Sequence, residues 1–569
     1  MKRVTGKTVA ISLLLGLALP LSALAAEQDL QQKIDALTQE VEALKQDVGM
    51  TKKKSLGQWL TIGGDYRVRF DSLRGQTAAY TDVNALFATA QNAIQGDFFA
   101  NPGGPSSFFP GLTTSQALTG LMSFKQAMSA ATTYSAAQTF LTNNRQLIQG
   151  LFQFAPQAQV PATTVKNDTM YTNRFGLNLN AKATEDVTVT ARLLMYKVTG
   201  AQDESAITGS GIGPFFADRV GVFDGVIGHI PSDSRLAVDQ VYATWKNIAG
   251  QPIWFSVGRR PSTGGVPTGL KENRARAGQA GTPATVINYA FDGGTIGVAP
   301  DIDALPGAYA KFCFGRGFDS GIVNKNKPYL HDMDFMGVAI IPYDTDPLRV
   351  DFQWARGFNL VDFPVMNNTA FGNTAPSVNL GDVDWYELGA ISTLKNVGPG
   401  TLNLFATTAM NVTHPNNNVS ANAGFQGLLT GQFFQPEAPN DKTGWVAWVG
   451  ARYDVTDTGT KIGAEYNHGS KNWFGMAMAA DDLWTSKIGT RGNVYEGYVI
   501  QELPLKPISS YVSKAFFRAG YQYYDFEYTG SNNWVGAPIK IADLQPGTLQ
   551  MLTPLKNAQD IYVTFEVQF

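Results

Sequence analysis

The stretch Ile561-Tyr562-Val563-Thr564-Phe565-Glu566-Val567-Gln568-Phe569 constrains this chain more than any other. Ile561, Val563, Phe565, Val567 and Phe569 fall on one face of an extended strand. Tyr562, Thr564, Glu566 and Gln568 fall on the other. A strict period of two requires a sheet with one apolar and one polar face. The pattern recurs upstream. Leu60, Ile62, Tyr66, Val68 and Phe70 alternate with Thr61, Gly63, Asp65, Arg67 and Arg69. Phe175, Leu177 and Leu179 alternate with Arg174, Gly176, Asn178 and Asn180, and Val187, Val189, Ala191 and Leu193 with Thr188, Thr190 and Arg192. The same holds around Arg349–Gln353, Trp445–Asp454 and Lys461–Asn467. The segment Val238–Lys246 admits two facings, Val241/Ala243/Trp245 or Val238/Tyr242.

Connection lengths carry the second argument. Short turns are expected at 183–186, 248–251, 301–306, 343–346, 395–400, 455–459 and 504–510. Between them lie longer connections at 72–168, 198–235, 260–283, 317–331, 358–382, 413–443, 470–492 and 527–558. Alternating short and long connections match a membrane barrel with periplasmic turns and external loops. The expected fold is all-β: a closed antiparallel transmembrane β-barrel of about 16 strands, spanning 59–569, with both ends periplasmic. Such a barrel turns its apolar face to lipid and its charges to the lumen. The expected lumen-facing residues are Asp65, Arg67, Arg69, Arg174, Arg192, Lys311, Arg349, Asp351, Arg452 and Glu465. In the long first loop, 72–168, the middle from about Ser115 to Phe154 is rich in Ala, Gln, Leu and Met and reads as one or two helices.

The N-terminus reads as a signal peptide over 1–25: Lys2, Arg3 and Lys7 flank or open an apolar run, and Ala23-Leu24-Ala25 offers a cleavage site. Without those three cations, Lys+Arg falls from 44 to 41 against 47 acids. That balance argues against a polybasic nucleic-acid binder. Leu30, Ile34, Leu37, Val41, Leu44 and Val48 then form an a/d seam over 26–50, followed by a linker at 51–58. β-branched a with Leu at d favours two strands in a parallel coiled coil. One amphipathic helix lying on the barrel mouth is the alternative. Cys313 is the single cysteine, which excludes an intramolecular disulfide, a C-x-x-C-H haem site and a multi-Cys metal site.

Arg259, Arg260, Lys271, Arg274 and Arg276 in and beside loop 260–283 are the candidate pore constriction. A ring of cations in a narrow pore favours anions. The competing reading is a set of solvated loop charges. Nothing points to catalysis. His229, His331, His414 and His468 are scattered, and neither G-x-x-x-x-G-K-[ST] nor H-E-x-x-H occurs. No catalytic residue, cofactor or metal site is expected.

The terminal Phe569 resembles the aromatic ending of bacterial outer-membrane barrels, which implies that it serves as the assembly signal. Leader, heptads, alternating strands and the stretch Gly258-Arg259-Arg260-Pro261-Ser262-Thr263-Gly264-Gly265 together resemble an uncharacterised group of bacterial outer-membrane porin-like proteins with an N-terminal periplasmic coiled coil. The resemblance implies a barrel in the bacterial outer membrane and assigns it no substrate; the residues themselves lead to a porin that passes small hydrophilic solutes by diffusion, with weak anion preference at most. The resemblance also implies contact with outer-membrane lipid and a homo-oligomer, with a trimer favoured. Two other readings stand beside it: a structural barrel tethered to peptidoglycan by the coiled coil, and a sheath around an electron-transfer partner.

Overall fold

The computed structural model describes residues 59–569 except 201–228, 230, 232–233, 264–267, 275–281, 322–329, 364–365, 370–371, 478–481 and 507–512. The expected leader, heptad seam and linker lie outside the described residues, as does Arg276.

Sixteen strands close into one barrel. They are β1 (Leu60–Thr77), β2 (Thr164–Lys182), β3 (Val187–Thr199), β4 (Ala237–Trp245), β5 (Ile253–Pro261), β6 (Ala290–Val298), β7 (Tyr309–Phe318) and β8 (Met333–Asp344). They continue with β9 (Arg349–Val361), β10 (Asn379–Val397), β11 (Gly400–Pro415), β12 (Thr443–Val455), β13 (Thr460–Gly469), β14 (Gly492–Glu502), β15 (Lys514–Phe526) and β16 (Leu555–Gln568). Each strand lies beside its sequence neighbours, and β1 pairs antiparallel with β16, Tyr66 opposite Val567 and Arg67 opposite Glu566.

The facing is that of a barrel in lipid. On β16, Ile561 is 53% exposed while Tyr562 and Thr564 are buried. Arg67, Arg69, Arg349, Asp351 and Asp560 are all buried at 1% exposure or less. A sheet that buries charge and exposes Ile, Val and Phe is inverted relative to a soluble sandwich. Closure leaves no free sheet edge, the condition for crossing a bilayer with strands. This is the architecture of the bacterial outer membrane.

Short connections at 183–186, 345–348, 398–399 and 456–459 alternate with long ones at 78–163, 262–289, 416–442, 470–491 and 527–554. The first loop is shorter at both ends than its sequence suggests, because β1 runs on to Thr77 and β2 starts at Thr164. It carries four helices: α1 (Val83–Ala100), ahead of the stretch expected to be helical, and within that stretch three rather than one or two, α2 (Thr114–Ala130), α3 (Tyr134–Asn143) and α4 (Arg145–Phe152). Their starts are set by caps. Asp82 accepts from the Asn84 and Ala85 amides, and Thr113 forms a reciprocal capping box with Gln116. The helices pack on loop 416–442 through Phe87, Phe124 and Phe140 against Phe433, Phe434 and Phe425. They therefore cap the long-loop end of the barrel.

The ambiguous facing of β4 has a physical cause. Opposite β3, Arg192 pairs with Gln240 and Leu193 with Val238, so Asp239 is an extra residue in the ladder. This bulge leaves Val238 and Val241 both exposed and buries the Asp239 side chain.

Candidate functional site

Two long loops fold into the barrel. The first, 262–289, leaves β5 and reaches the opposite wall. Its short helix α5 (Thr268–Lys271) offers the Leu270 carbonyl to Arg452 on β12 and the Lys271 carbonyl to Arg518 on β15, both at 2.5 Å. Leu270 packs with Ile391, Phe405 and Trp448. Asn273 donates to Glu502, the last residue of β14, and accepts from Lys461 on β13. The tip of the loop thus lies near the short-turn end of the barrel.

The second loop, 470–491, packs beside it. Lys487 Nζ lies 2.6 Å from both Glu465 of β13 and Glu496 of β14. Lys271 Nζ is 2.5 Å from the other oxygen of Glu496, and sits over the Tyr562 ring. Asp482 completes the cluster, accepting from the Lys487 amide and from Gln522 of β15. Trp473 donates to the Ile488 carbonyl, and Arg491 donates to the carbonyls of Trp473, Thr529, Gly530 and Asn533. In a low-dielectric interior such charges hold only when paired and hydrogen-bonded.

A cavity of about 510 Å³ runs between these loops and the wall formed by β1 to β4. Asp65 sits between Arg192 at 2.7 Å and Arg174 at 3.6 Å. Arg192 also reaches the bulged Asp239 at 3.4 Å, and His229 binds Asp239 from the other side. Glu272 and Arg274 project from the loop, 3.0 Å apart, and the Arg274 side chain is 46% exposed.

The proposed constriction residues therefore separate. Lys271 is locked in the Glu496 cluster. Arg274 reaches the cavity. Arg260 has inward parity on β5, hydrogen-bonds Thr295 and lies over the Trp254 ring. Arg259 is a correction: it shares parity with the exposed Phe255 and Val257, and binds Asp292 at 2.6 Å on the lipid-side face. A one-residue step along a strand reverses facing, so adjacent arginines cannot both enter the lumen.

The wall residues fall into distinct settings. Arg67 donates to Tyr196, Arg69 to Asp71 and Asp560, and Arg349 to Tyr309. Lys311 donates to the Ser262 carbonyl, Arg452 to Asp454, and Glu465 receives Lys487 and Trp448. Asp65, Arg174 and Arg192 line the cavity. Among the described residues, neither carboxylate oxygen of Asp351 receives a hydrogen bond. Sequence reasoning missed Glu496, Lys487, Asp482, Asp239 and Asp560. Glu496 had a signal, since the exposed Tyr495 and Val499 of β14 set its inward parity.

A family model described as "Protein of unknown function (DUF3373)" matches residues 164–569. The chain belongs to this family. The DUF3373 match starts with β2 and leaves β1 and the helical cap outside it. No curated protein matches the sequence. Solved structures similar in fold include OprB of Pseudomonas putida, at 10% identity and TM-score 0.38, covering 92% of this chain and 97% of that one. An anion-selective porin from Comamonas acidovorans shares 10% identity at TM-score 0.37, covering 90% and 99%. OmpT, an outer-membrane protein of Vibrio cholerae in its trimer form, shares 10% identity at TM-score 0.35, covering 90% and 100%.

Proposed function

We propose that this porin-like barrel is a narrow diffusion channel for small hydrophilic solutes, with weak anion preference. The observation that carries this reading is the cavity along β1–β4, lined by charged groups and bounded by the inner loops. Its lining carries five acids and five lysines or arginines. Asp65, Asp239, Glu272, Asp482 and Glu566 face Arg174, Arg192, Lys271, Arg274 and Lys487. Most of these charges are held in ion pairs within the wall, and among the described ion pairs of the cavity Arg274 has the most exposed side chain. Arg274, although 3.0 Å from Glu272, is the cation of the cavity most open to a passing solute, which favours anions slightly. The heptad seam at Leu30–Val48 is proposed to join copies, with a trimer favoured, and Phe569 to serve as the assembly signal. Planar-bilayer recording of the purified full chain tests the channel: discrete conductance with chloride modestly preferred over potassium is expected. A sealed bilayer under voltage would overturn it, and would favour the structural reading of a barrel tethered to the cell wall by the coiled coil.

A further inference from the structure

On the inner wall at β9–β11, away from the cavity, two acids lie without a bonded cation among the described residues. Asp351 of β9 is fully buried, and neither of its carboxylate oxygens receives a hydrogen bond. Glu387 of β10 is 1% exposed. Its Oε1 accepts from the Thr407 hydroxyl of β11 at 3.1 Å, while Oε2 has no partner. The Thr407 hydroxyl lies 3.2 Å from that of Thr285, which comes from the returning limb of loop 262–289.

The register explains the convergence. Asp351 stands opposite Gly389, and Gly389 stands opposite Thr407. A Cβ on Gly389 would meet Asp351 Oδ2 at 2.6 Å. The missing side chain thus lets the Asp351 carboxylate lean across β10 toward Thr407 and Glu387. Neighbouring Arg349 is turned to Asp344 and to the Tyr309 hydroxyl. Lys311 donates to the Ser262 carbonyl.

Two desolvated carboxylates facing each other are costly unless positive charge joins them. We propose that Asp351, Glu387, Thr407 and Thr285 bind one divalent, oxygen-preferring cation, with calcium the best match. Two carboxylates and two hydroxyls supply up to about six oxygens, the lower end of calcium's usual coordination. The donor set contains no thiolate or imidazole, which disfavours softer metals. Charge balances, two positive against two negative. Because Thr285 belongs to the inner loop, the cation would staple that limb of the loop to the wall. This site stands independently of the channel reading.

The test is elemental analysis of full-length protein refolded with calcium and then washed with chelator. Wild type should hold one calcium per chain more than Asp351→Asn/Glu387→Gln, and chelation during refolding should lower the melting temperature of wild type alone. Gly389→Ala keeps every ligand but presses on Asp351, and should bind calcium about tenfold more weakly. Heat-modifiable migration on gels reports whether each variant has formed a barrel. If the double variant does not fold, Gly389→Ala and Thr407→Val carry the comparison. Equal calcium content in wild type and folded variants overturns the site. So does a wild type that retains no calcium, magnesium or manganese; the two carboxylates would then share a proton.

Discussion

Lys271 Nζ and Glu496 Oε1 lie 2.5 Å apart, joining a loop that leaves β5 to the wall at β14. The other oxygen of Glu496 takes Lys487 of the second inner loop at 2.6 Å. One carboxylate therefore latches both loops. Glu496→Gln keeps the shape and removes the charge. Losing one member of a buried ion pair costs about 3–5 kcal/mol. The loops can leave toward water, so the cost should appear as loop release while the barrel stays folded. Single-channel conductance should rise severalfold, and protease should cut within 262–289. Unchanged conductance with an uncut loop would mean that Glu496 is not the latch.

Closure of the barrel depends on a glycine. Gly64 exchanges backbone hydrogen bonds with Phe569, at 2.7 and 3.0 Å. A Cβ on Gly64 would meet the Gly176 carbonyl at 2.4 Å and the Phe569 ring at 2.7 Å. The backbone of β2 cannot yield as a flexible side chain would. Gly64→Val should lower the yield of heat-modifiable barrel by about tenfold, a loss of about 1.4 kcal/mol of seam stability. A normal yield would show that the first and last strands tolerate displacement here.

Much of this fold was legible because strand facing is a local property. Arg67 and Arg69 had to share a face opposite Val68 and Phe70, whatever the register of their neighbours. The alternation of short and long connections survived boundary shifts at Thr77 and Thr164. The inner loops were legible only in part. Loop 260–283 announced itself by its cations, but which of them enter the cavity depends on strand parity at Gly258–Pro261 and on contacts more than two hundred residues away. Lys487 gave no signal, since loop 470–491 has no period and its partners Glu465 and Glu496 lie on separate strands. The Asp239 bulge was visible only as an ambiguity in β4. No window of sequence reveals that one residue of a strand is unpaired.

Arg274 and Arg259 should behave differently although both are loop-region arginines. Arg274 faces the cavity with a side chain 46% exposed, and Arg259 lies on the lipid-side face with Asp292. Arg274→Glu should shift the zero-current potential toward cation preference, because it puts an anion beside Glu272 where the most exposed cation of the cavity stood. Arg259→Gln should leave selectivity unchanged. Reversal-potential measurements across a potassium chloride gradient separate the two. A shift from Arg259→Gln of the same size would place that residue in the permeation path.

Asp97, in the helical cap, should make the cap sensitive to acid. The Ser107 hydroxyl and amide donate to its carboxylate at 2.7 and 2.8 Å, and the Ser106 hydroxyl at 3.1 Å. These bonds, led by the Ser107 hydroxyl, hold the Asp97 carboxyl below its ordinary range. A depressed folded-state value means that the opened segment takes up the proton first. The stabilisation is thus present above the ordinary aspartate value of about 3.9, and is lost as pH falls through the lower folded-state value. Hydrogen exchange of the 101–113 segment should be slow at about pH 6 and quicken, after correction for intrinsic rates, below about pH 4. Asp97→Asn should show fast exchange with no such acid step. An acid step retained in Asp97→Asn would assign the sensitivity to another carboxylate of the cap.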